Sequence, residues 1–253
     1  MTLSYDVAGS GPAVMLLHST VCDRRMWDLQ VPSLVNAGYR VVRCDFREFG
    51  QTPGPDGPFS NADDVADLLD LLGIERSALI GASGGGQVAL EIAARWPRRV
   101  TALALLCTAR TGHEPSAELR AFGEREEALI EAGDVAGAIE LHVDTWLGPE
   151  ADEATREKLR RMQGCNLAVQ LAAEEFESIK AEIDPAAITA PSLLISGKHD
   201  LADFRQIADQ LSGELVNTRH LELSWAGHLP SLERPDEVNR ILIDFLHETL
   251  AAG

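Results

Sequence analysis

Short, continuously apolar runs alternate with helical patterns along most of the chain, and this alternation limits the possible fold more than any other feature. The runs lie at residues 14–17, 41–44 (where Arg43 interrupts the apolar side chains), 78–80, 103–106 and 193–195. A strand is apolar throughout when helices cover both faces of its sheet. The sequence therefore predicts an α/β protein with a mostly parallel sheet covered by helices.

Local signals refine this prediction at the ends of the elements. Residues 3–7 alternate between apolar and polar side chains and lead into a Gly-Ser-Gly-Pro turn, which predicts an antiparallel edge strand. Capping and breaking residues set the limits of the helices. Ser60 with Asp63 begins a helix that Gly73 ends, Pro97 ends the helix that follows residue 83, and Pro235 begins the last helix.

The strand signals vanish between residues 112 and 185, where the pattern is helical throughout. This stretch carries 18 Asp and Glu against 7 Lys and Arg. On the helix predicted after Asp134, one face is formed by Val135, Ile139, His142, Val143 and Trp146. We therefore predict a core made of residues 1–111 and 186–253, with residues 112–185 inserted as a helical lid.

One motif points to chemistry: Gly81-Ala82-Ser83-Gly84-Gly85 lies directly between a predicted strand and a predicted helix. A serine on such a sharp turn presents its hydroxyl clear of the backbone, and small residues two positions away on either side avoid clashes. The G-x-S-x-G pattern is expected only ~0.1 times by chance in a chain of this composition. Ser83 is therefore the candidate nucleophile.

A serine is a weak nucleophile, so a base and an acid that orients it are needed. Asp200 follows the predicted strand at 193–195, and His228 follows the strand-like run at 221–223. Both lie beyond strand ends, where an open parallel sheet collects its site residues. The order Ser83, Asp200, His228 is the order found in hydrolases built on this turn. The three residues together predict a catalytic triad.

The chain resembles the α/β-hydrolase superfamily, in particular its lidded lactonases, esterases and haloperoxidase-like enzymes, over roughly residues 5–246. The resemblance rests on His18-Ser19-Thr20, Met26-Trp27, the stretch from Asp45 to Gly50, the Ser83 motif, Gly197-Lys198-His199-Asp200 and Gly227-His228. The order Met26-Trp27-Asp28 with Gln30, Pro32 and Leu34 is similar to 3-oxoadipate enol-lactonases.

This resemblance implies the α/β-hydrolase fold, with Ser83 as nucleophile, His228 as base and Asp200 as its orienting acid. It also implies an oxyanion hole formed by the backbone N–H of Gly84 and that of Thr20, with Val21 as the alternative to Thr20. Two residues depart from the family pattern, because Ser19 and Glu48 each stand where most relatives have glycine.

The resemblance implies a cofactor-free hydrolase of a small carboxylic ester or lactone that works through an acyl-enzyme. A serine at position 83 disfavours haloalkane dehalogenases and epoxide hydrolases, which need a carboxylate there. A cofactor-free perhydrolase or haloperoxidase of the same fold is one alternative, although Val21 after Thr20 counts mildly against perhydrolases. Carbon–carbon bond hydrolases use the same triad and are the other. A non-catalytic ligand receptor of the same fold is the alternative from another class.

The net charge of −18 argues against nucleic acid and anionic membrane surfaces as partners. We expect a small-molecule substrate and no membrane partner, whereas the sequence does not determine the oligomeric state. The absence of a signal-like start and of a long apolar run predicts a cytoplasmic protein. The cysteines and histidines show no metal-ligand spacing, so no metal site is predicted.

Three residues are candidates for contact with the substrate. Trp146 and His142 share a face of the predicted lid helix, and a large ring at position 146 could form a wall of the pocket. Arg25, beside Arg24 and directly after the predicted oxyanion loop, could offset the acidic field for an anionic substrate.

Overall fold

The computed structural model describes residues 3–174 and 176–250, and within them seven strands form one sheet. The strands are β1 (Tyr5–Ala8), β2 (Ala13–Leu17), β3 (Arg40–Cys44), β4 (Ser77–Ala82), β5 (Val100–Leu106), β6 (Ser192–Gly197) and β7 (Thr218–Leu223). They lie in the order β1-β3-β2-β4-β5-β6-β7, and β1 pairs antiparallel with β3 while all other pairs are parallel. The predicted mostly parallel sheet and its antiparallel edge strand are confirmed.

Nine helices are seen in the same residues. They are α1 (Gln30–Asn36), α2 (Asn61–Leu71), α3 (Gly84–Arg95), α4 (Ala117–Glu131), α5 (Val135–Trp146), α6 (Glu153–Gln170), α7 (Ala202–Glu214), α8 (Pro230–Glu233) and α9 (Pro235–Leu250). The Ser60 hydroxyl accepts the N–H of Asp63 at 3.2 Å, and Gly73 adopts a φ of 65° just beyond α2. These contacts confirm the predicted start and end of that helix.

The sheet is the centre of the hydrophobic core. Leu16, Leu79, Leu103 and Leu194 on β2, β4, β5 and β6 are each buried. Helices cover both faces of these central strands, which is why the strands are apolar throughout rather than alternating. Strand β7 lies at the edge of the sheet and is largely exposed.

Helices α4, α5 and α6 follow one another between β5 and β6, within the stretch predicted to be helical. Strands β5 and β6 are nevertheless direct neighbours, with Leu103 paired to Ser192. The chain therefore leaves the sheet after β5, forms three helices and returns to the adjacent position. The role of residues 112–185 as a lid stays a prediction.

Because β4, β5, β6 and β7 are adjacent and parallel, their carboxyl ends meet at one edge of the sheet. Ser83 follows β4, Asp200 follows β6 and His228 follows β7. None of the described helices is long and apolar enough to cross a membrane.

Candidate active site

Ser83 lies on a strained turn between β4 and α3. Its backbone has φ 51° and ψ −118°, a region that favours glycine. The turn is held on both sides, because the Ser83 N–H donates to the Leu106 carbonyl at 2.9 Å and the Ser83 carbonyl accepts the N–H of Ala109 at 3.0 Å. Such strain persists only where the surroundings enforce it, and it is typical of functional positions.

Close backbone contacts explain the two glycines that flank this turn. A Cβ atom on Gly81 would lie 2.4 Å from the Gly85 carbonyl oxygen. A Cβ atom on Gly85 would lie 2.3 Å from the Leu17 carbonyl oxygen and 2.5 Å from that of His18. The motif therefore uses glycine so that α3 can start directly against β2.

We expect Gly85→Ala to lower the free energy of unfolding by about 3 kcal/mol, since the obstructing atoms are backbone and cannot rotate away. Denaturant unfolding would measure the loss. Gly213→Ala is the matched control, because Gly213 lies in α7 with no atom within 4 Å of an added Cβ. The control should gain up to about 1 kcal/mol from helix propensity. Equal stability of Gly85→Ala and the natural chain would contradict the close approach.

His228 and Asp200 form a buried hydrogen-bonded pair. The distance from His228 Nδ1 to Asp200 Oδ2 is 2.8 Å, and the two side chains are 1% and 0% exposed. The second carboxylate oxygen, Oδ1, accepts the N–H of Leu201 at 2.7 Å. With Nδ1 bound to a carboxylate, the other ring nitrogen, Nε2, is left to act as a base.

Cys107, at the end of β5, lies beside this pair and was missed by sequence reasoning. Its Sγ and one ligand atom each of Asp200 and His228 lie within 4.8 Å of one another, so the three residues could in principle hold a metal. Burial raises the pKa of the Cys107 thiol well above its usual range, which disfavours the thiolate that a metal needs. The atoms of Asp200 and His228 are also already bonded to each other, so the cluster fits a hydrogen-bonded pair better than a metal site.

The loop after β2 is shaped by His18 and Ser19. His18 Nδ1 donates to the Ser19 carbonyl at 2.8 Å, and its Nε2 accepts the N–H of Phe46 at 2.9 Å, which requires a neutral ring. Complete burial lowers the pKa of His18, consistent with that neutral form. The Ser19 hydroxyl accepts the N–H of Val21 at 3.4 Å, a contact that glycine at this position could not make.

Thr20 lies directly against the start of α3. A Cβ atom on Gly84 would lie 2.6 Å from Thr20 Cγ2. Gly84 is the first residue of α3, so its N–H has no acceptor within the helix. Within the described parts of the chain no hydrogen-bond acceptor is found for the Thr20 N–H either. The residues expected to form the oxyanion hole are thus adjacent.

A cavity of about 190 Å³ opens beside Thr20 and Gly84. Its wall also includes Phe49, Gln87 and Glu48. Glu48 has a φ of 70°, so this turn keeps the left-handed conformation for which relatives use glycine. The cavity is the pocket that the oxyanion-hole candidates share.

Trp146 packs against the ring of His228. The ring centroids lie 4.7 Å apart, and Phe204 contacts the same imidazole at 4.2 Å. His142 lies behind Trp146, with Nδ1 accepting the indole N–H at 3.2 Å and Nε2 lying 2.5 Å from Glu126 Oε1. Both ring nitrogens of His142 therefore have partners within the protein, and substrate binding by His142 and Trp146 stays a prediction.

We expect Trp146→Ala to cost both stability and activity, since the side chain is only 4% exposed and also supports His228. Truncation should lower the free energy of unfolding by ~3–5 kcal/mol. A tryptophan that only lined the pocket would instead leave the melting temperature nearly unchanged on truncation. Trp146→Phe should lose about 1 kcal/mol with its hydrogen bond to His142. Trp96→Phe, near the end of α3, is the control. Unchanged kcat/KM in both Trp146 variants would mean that the contact between Trp146 and His228 does not affect catalysis.

Arg25 lies away from the cavity beside Thr20. Its guanidinium is bound to Asp23, with 2.9 Å from Nε to Oδ1 and 2.5 Å from Nη2 to Oδ2. It lines a separate pocket with Arg24, Asp45 and Cys165. Its role in substrate binding stays a prediction, and its placement supports an ion pair that shapes the loop instead.

Three further residues at the site were missed in the sequence: Phe204, Gly148 and Glu233. Phe204 contacts His228 from α7, while Gly148 and Glu233 lie against the backbone of Gly227. Glu233 closely follows His228 and Gly148 closely follows Trp146, so their closeness to predicted site residues could be seen in the sequence. The groups that Glu233 and Gly148 contact are set only by the tertiary structure.

Comparison with known proteins gives a consistent result. The profile described as the Alpha/beta hydrolase family matches residues 14–241. A putative carbamate hydrolase, RutD, of Variovorax paradoxus is 28% identical over 100% of this chain and 99% of its own length. A 2-hydroxy-6-oxo-6-phenylhexa-2,4-dienoate hydrolase of Comamonas testosteroni is 27% identical over 97% of this chain and 91% of its own length.

Among solved structures, the enol-lactonase of Burkholderia xenovorans is similar, with a TM-score of 0.79 and 27% identity. The match covers 96% of each chain. Each of these proteins aligns with nearly the whole chain. Their names, however, describe enzymes that act on different bonds.

Proposed function

This chain belongs to the alpha/beta hydrolase family, and we propose that it is a serine hydrolase that cleaves a small carboxylic ester or lactone through an acyl-enzyme. The observation that carries the proposal is the strained Ser83 turn at the start of α3, at the sheet edge that also holds the buried Asp200–His228 pair. These are the parts that acyl transfer needs: a nucleophile, a base and an acid that orients it.

Each residue has a defined step in the proposed reaction. His228 Nε2 takes the proton of Ser83 Oγ while that oxygen attacks the carbonyl carbon of the substrate. Asp200 keeps the Nδ1 proton in place and stabilises the imidazolium that forms. The imidazolium then protonates the leaving oxygen, and water activated by the neutral His228 releases the acyl group from Ser83.

The negative charge that develops on the carbonyl oxygen needs donors that are already in place. We assign this role to the N–H groups of Gly84 and Thr20, because Val21 already donates to Ser19. The N-terminus of α3 adds a partial positive charge at the same position. One such donor typically contributes ~3 kcal/mol to lowering the barrier.

The charges that line the cavity bear on the choice of substrate. Arg47 is held by Asp64 through two hydrogen bonds of 2.6 Å, so its charge is already compensated. Glu91 pairs with Arg95 at 2.8 Å, and Glu48 and Lys180 also line the cavity. Since the cavity carries charges of both signs, the net charge of −18 is the feature that disfavours an anionic substrate. We propose that the substrate is uncharged, and we expect neutral esters to react faster than carboxylate-bearing ones of equal size.

Labelling with a fluorophosphonate tests the proposal most directly, because the probe reacts only with an activated serine. The expected result is one adduct on Ser83 in the folded protein, together with turnover of at least one neutral ester or lactone. Failure of the probe to modify Ser83 in the folded protein would contradict the proposal. Binding of ligands without turnover across the ester and lactone panel would instead favour a receptor.

Carbon–carbon bond hydrolysis and carbamate hydrolysis could use the same triad, as the names of the two relatives illustrate. A panel that pairs each ester with a carbamate and a 1,5-diketone of the same acyl group separates these activities. A kcat/KM for the ester or lactone above that for the other two is the expected result.

A further inference from the structure

A second carboxylate lies beside the proposed base and has no step in the reaction described above. Glu233 is the last residue of the short helix α8, five residues after His228. Its Oε2 accepts the N–H of Gly227 at 3.0 Å, and its Oε1 accepts the N–H of Leu229 at 3.3 Å. One carboxylate therefore holds the residues on both sides of His228.

The same carboxylate reaches the turn that follows α5. Gly148 lies directly against Glu233, because a Cβ atom on Gly148 would lie 2.3 Å from Glu233 Oε2 and 2.6 Å from the Gly227 nitrogen. In addition, the N–H of His228 donates to the Trp146 carbonyl at 2.9 Å. The backbone of residues 146–148 thus lies directly on the loop that carries His228, and Glu233 contacts both segments.

Stability does not explain why a carboxylate occupies this position. Burial raises the pKa of Glu233, although the N–H groups of Gly227, Leu229 and Gly148 partly oppose the shift. A raised pKa means that ionising Glu233 costs more in the folded protein than in the unfolded chain. Ionisation of Glu233 therefore lowers stability as the pH rises from the usual glutamate pKa through the raised one.

The charge of Glu233 does, however, suit the chemistry at His228. A positive charge on His228 lowers the pKa of Glu233, so the imidazolium and this carboxylate attract each other. The titratable groups found beside His228 are Asp200 before α7, Cys107 just after β5, and Glu233. Within the described part of the chain, the hydrogen bonds found for Glu233 all come from backbone N–H groups of the His228 loop.

We propose that Glu233 is a positioning residue for the base: it fixes the His228 loop against the turn after α5 and favours the imidazolium that forms during catalysis. This inference rests on the proposed function, since it needs His228 to act as the base. Glu233 touches neither substrate nor reacting atoms, so its effect passes through the placement and charge of His228.

The test compares Glu233→Gln with Glu237→Gln on a neutral ester. Glu237 is the matched control, because this nearby carboxylate accepts the Trp225 indole N–H at 3.2 Å instead of an N–H of the His228 loop. We expect Glu233→Gln to lower kcat by about 10- to 100-fold, the effect of losing hydrogen bonds to a charged group, with KM within about twofold. The acid limb of the kcat/KM profile should shift to lower pH, since the imidazolium loses a favourable charge.

Glu237→Gln should leave both kcat and the acid limb as in the natural chain. A Glu233→Gln protein that only melts earlier, with kcat and the acid limb unchanged, would show a merely structural role and overturn the inference. If that variant fails to fold, Glu233→Asp decides: it keeps the charge, so kcat should fall while the acid limb stays in place. Unchanged kcat in Glu233→Asp would overturn the inference in that case. Absence of turnover and of Ser83 labelling in the natural chain would instead refute the proposed function.

Discussion

Ser83→Ala is expected to reduce kcat/KM by ~10⁴- to 10⁶-fold, because without the hydroxyl no acyl-enzyme can form. The residual rate should come from the oxyanion donors and from substrate binding alone. The fold should be unaffected, since alanine is smaller and the neighbours Gly81 and Gly85 still relieve the close contacts of the turn. Steady-state kinetics and denaturant unfolding of the same preparation would check both statements.

A surface serine provides the control for this variant. Ser212 lies in α7, where its hydroxyl donates to the Asp209 carbonyl at 2.7 Å. Ser212→Ala should keep full activity and the fluorophosphonate adduct, whereas Ser83→Ala should lose both. A Ser83→Ala protein that hydrolyses esters at more than a hundredth of the natural rate would exclude Ser83 as the nucleophile.

Asp200→Asn is expected to reduce kcat by ~10³- to 10⁴-fold with a much smaller change in KM. An amide at this position presents N–H where Oδ2 now accepts the proton of His228 Nδ1, at 2.8 Å. The ring would then turn to the other tautomer and place its proton on Nε2, where the base is needed. The support for the imidazolium would also be lost, so raising the pH should not restore the rate.

Asp203→Asn is the matched control, because Asp203 is another buried carboxylate only three residues away. It accepts the N–H and the hydroxyl of Ser116, at 2.7 and 2.6 Å, rather than bonding His228. Its amide variant should lose about 1–3 kcal/mol of stability and keep kcat within about tenfold. Equal losses of kcat in the two variants would mean that Asp200 acts through the fold and not through His228.

Local patterns in the sequence predicted the elements of the core because their causes are local. Apolar runs indicate strands that are covered on both faces, and β2 to β6 lie where those runs predicted them. Ser60, Gly73 and Pro235 act on the chain within one turn, so the helix limits that depend on them were also predicted. The Ser83 turn is local in the same sense, since its strain and its glycines fall within five consecutive residues.

The partners of charged and aromatic side chains could not be obtained in this way. Arg25 was offered as a candidate for contact with a substrate, and the sequence did not indicate that its guanidinium bonds Asp23. The sequence placed His142 and Trp146 on one face of a helix without indicating that His142 bonds Glu126 or that Trp146 lies on His228. Periodicity shows which face of a helix is buried and says nothing about the element that covers it.

The sequence by itself therefore determined the α/β class, the antiparallel edge strand and the Ser83 turn, because residues close in the chain set these features. Only the tertiary structure decided that β5 and β6 are neighbours across the inserted helices, and that Gly148 and Glu233 meet at the loop of His228. Gly148 and Glu233 are far apart in the chain, and their contact depends on how whole elements pack. Such a contact exists only once the sheet has brought the elements together, so no pattern within either segment could specify it.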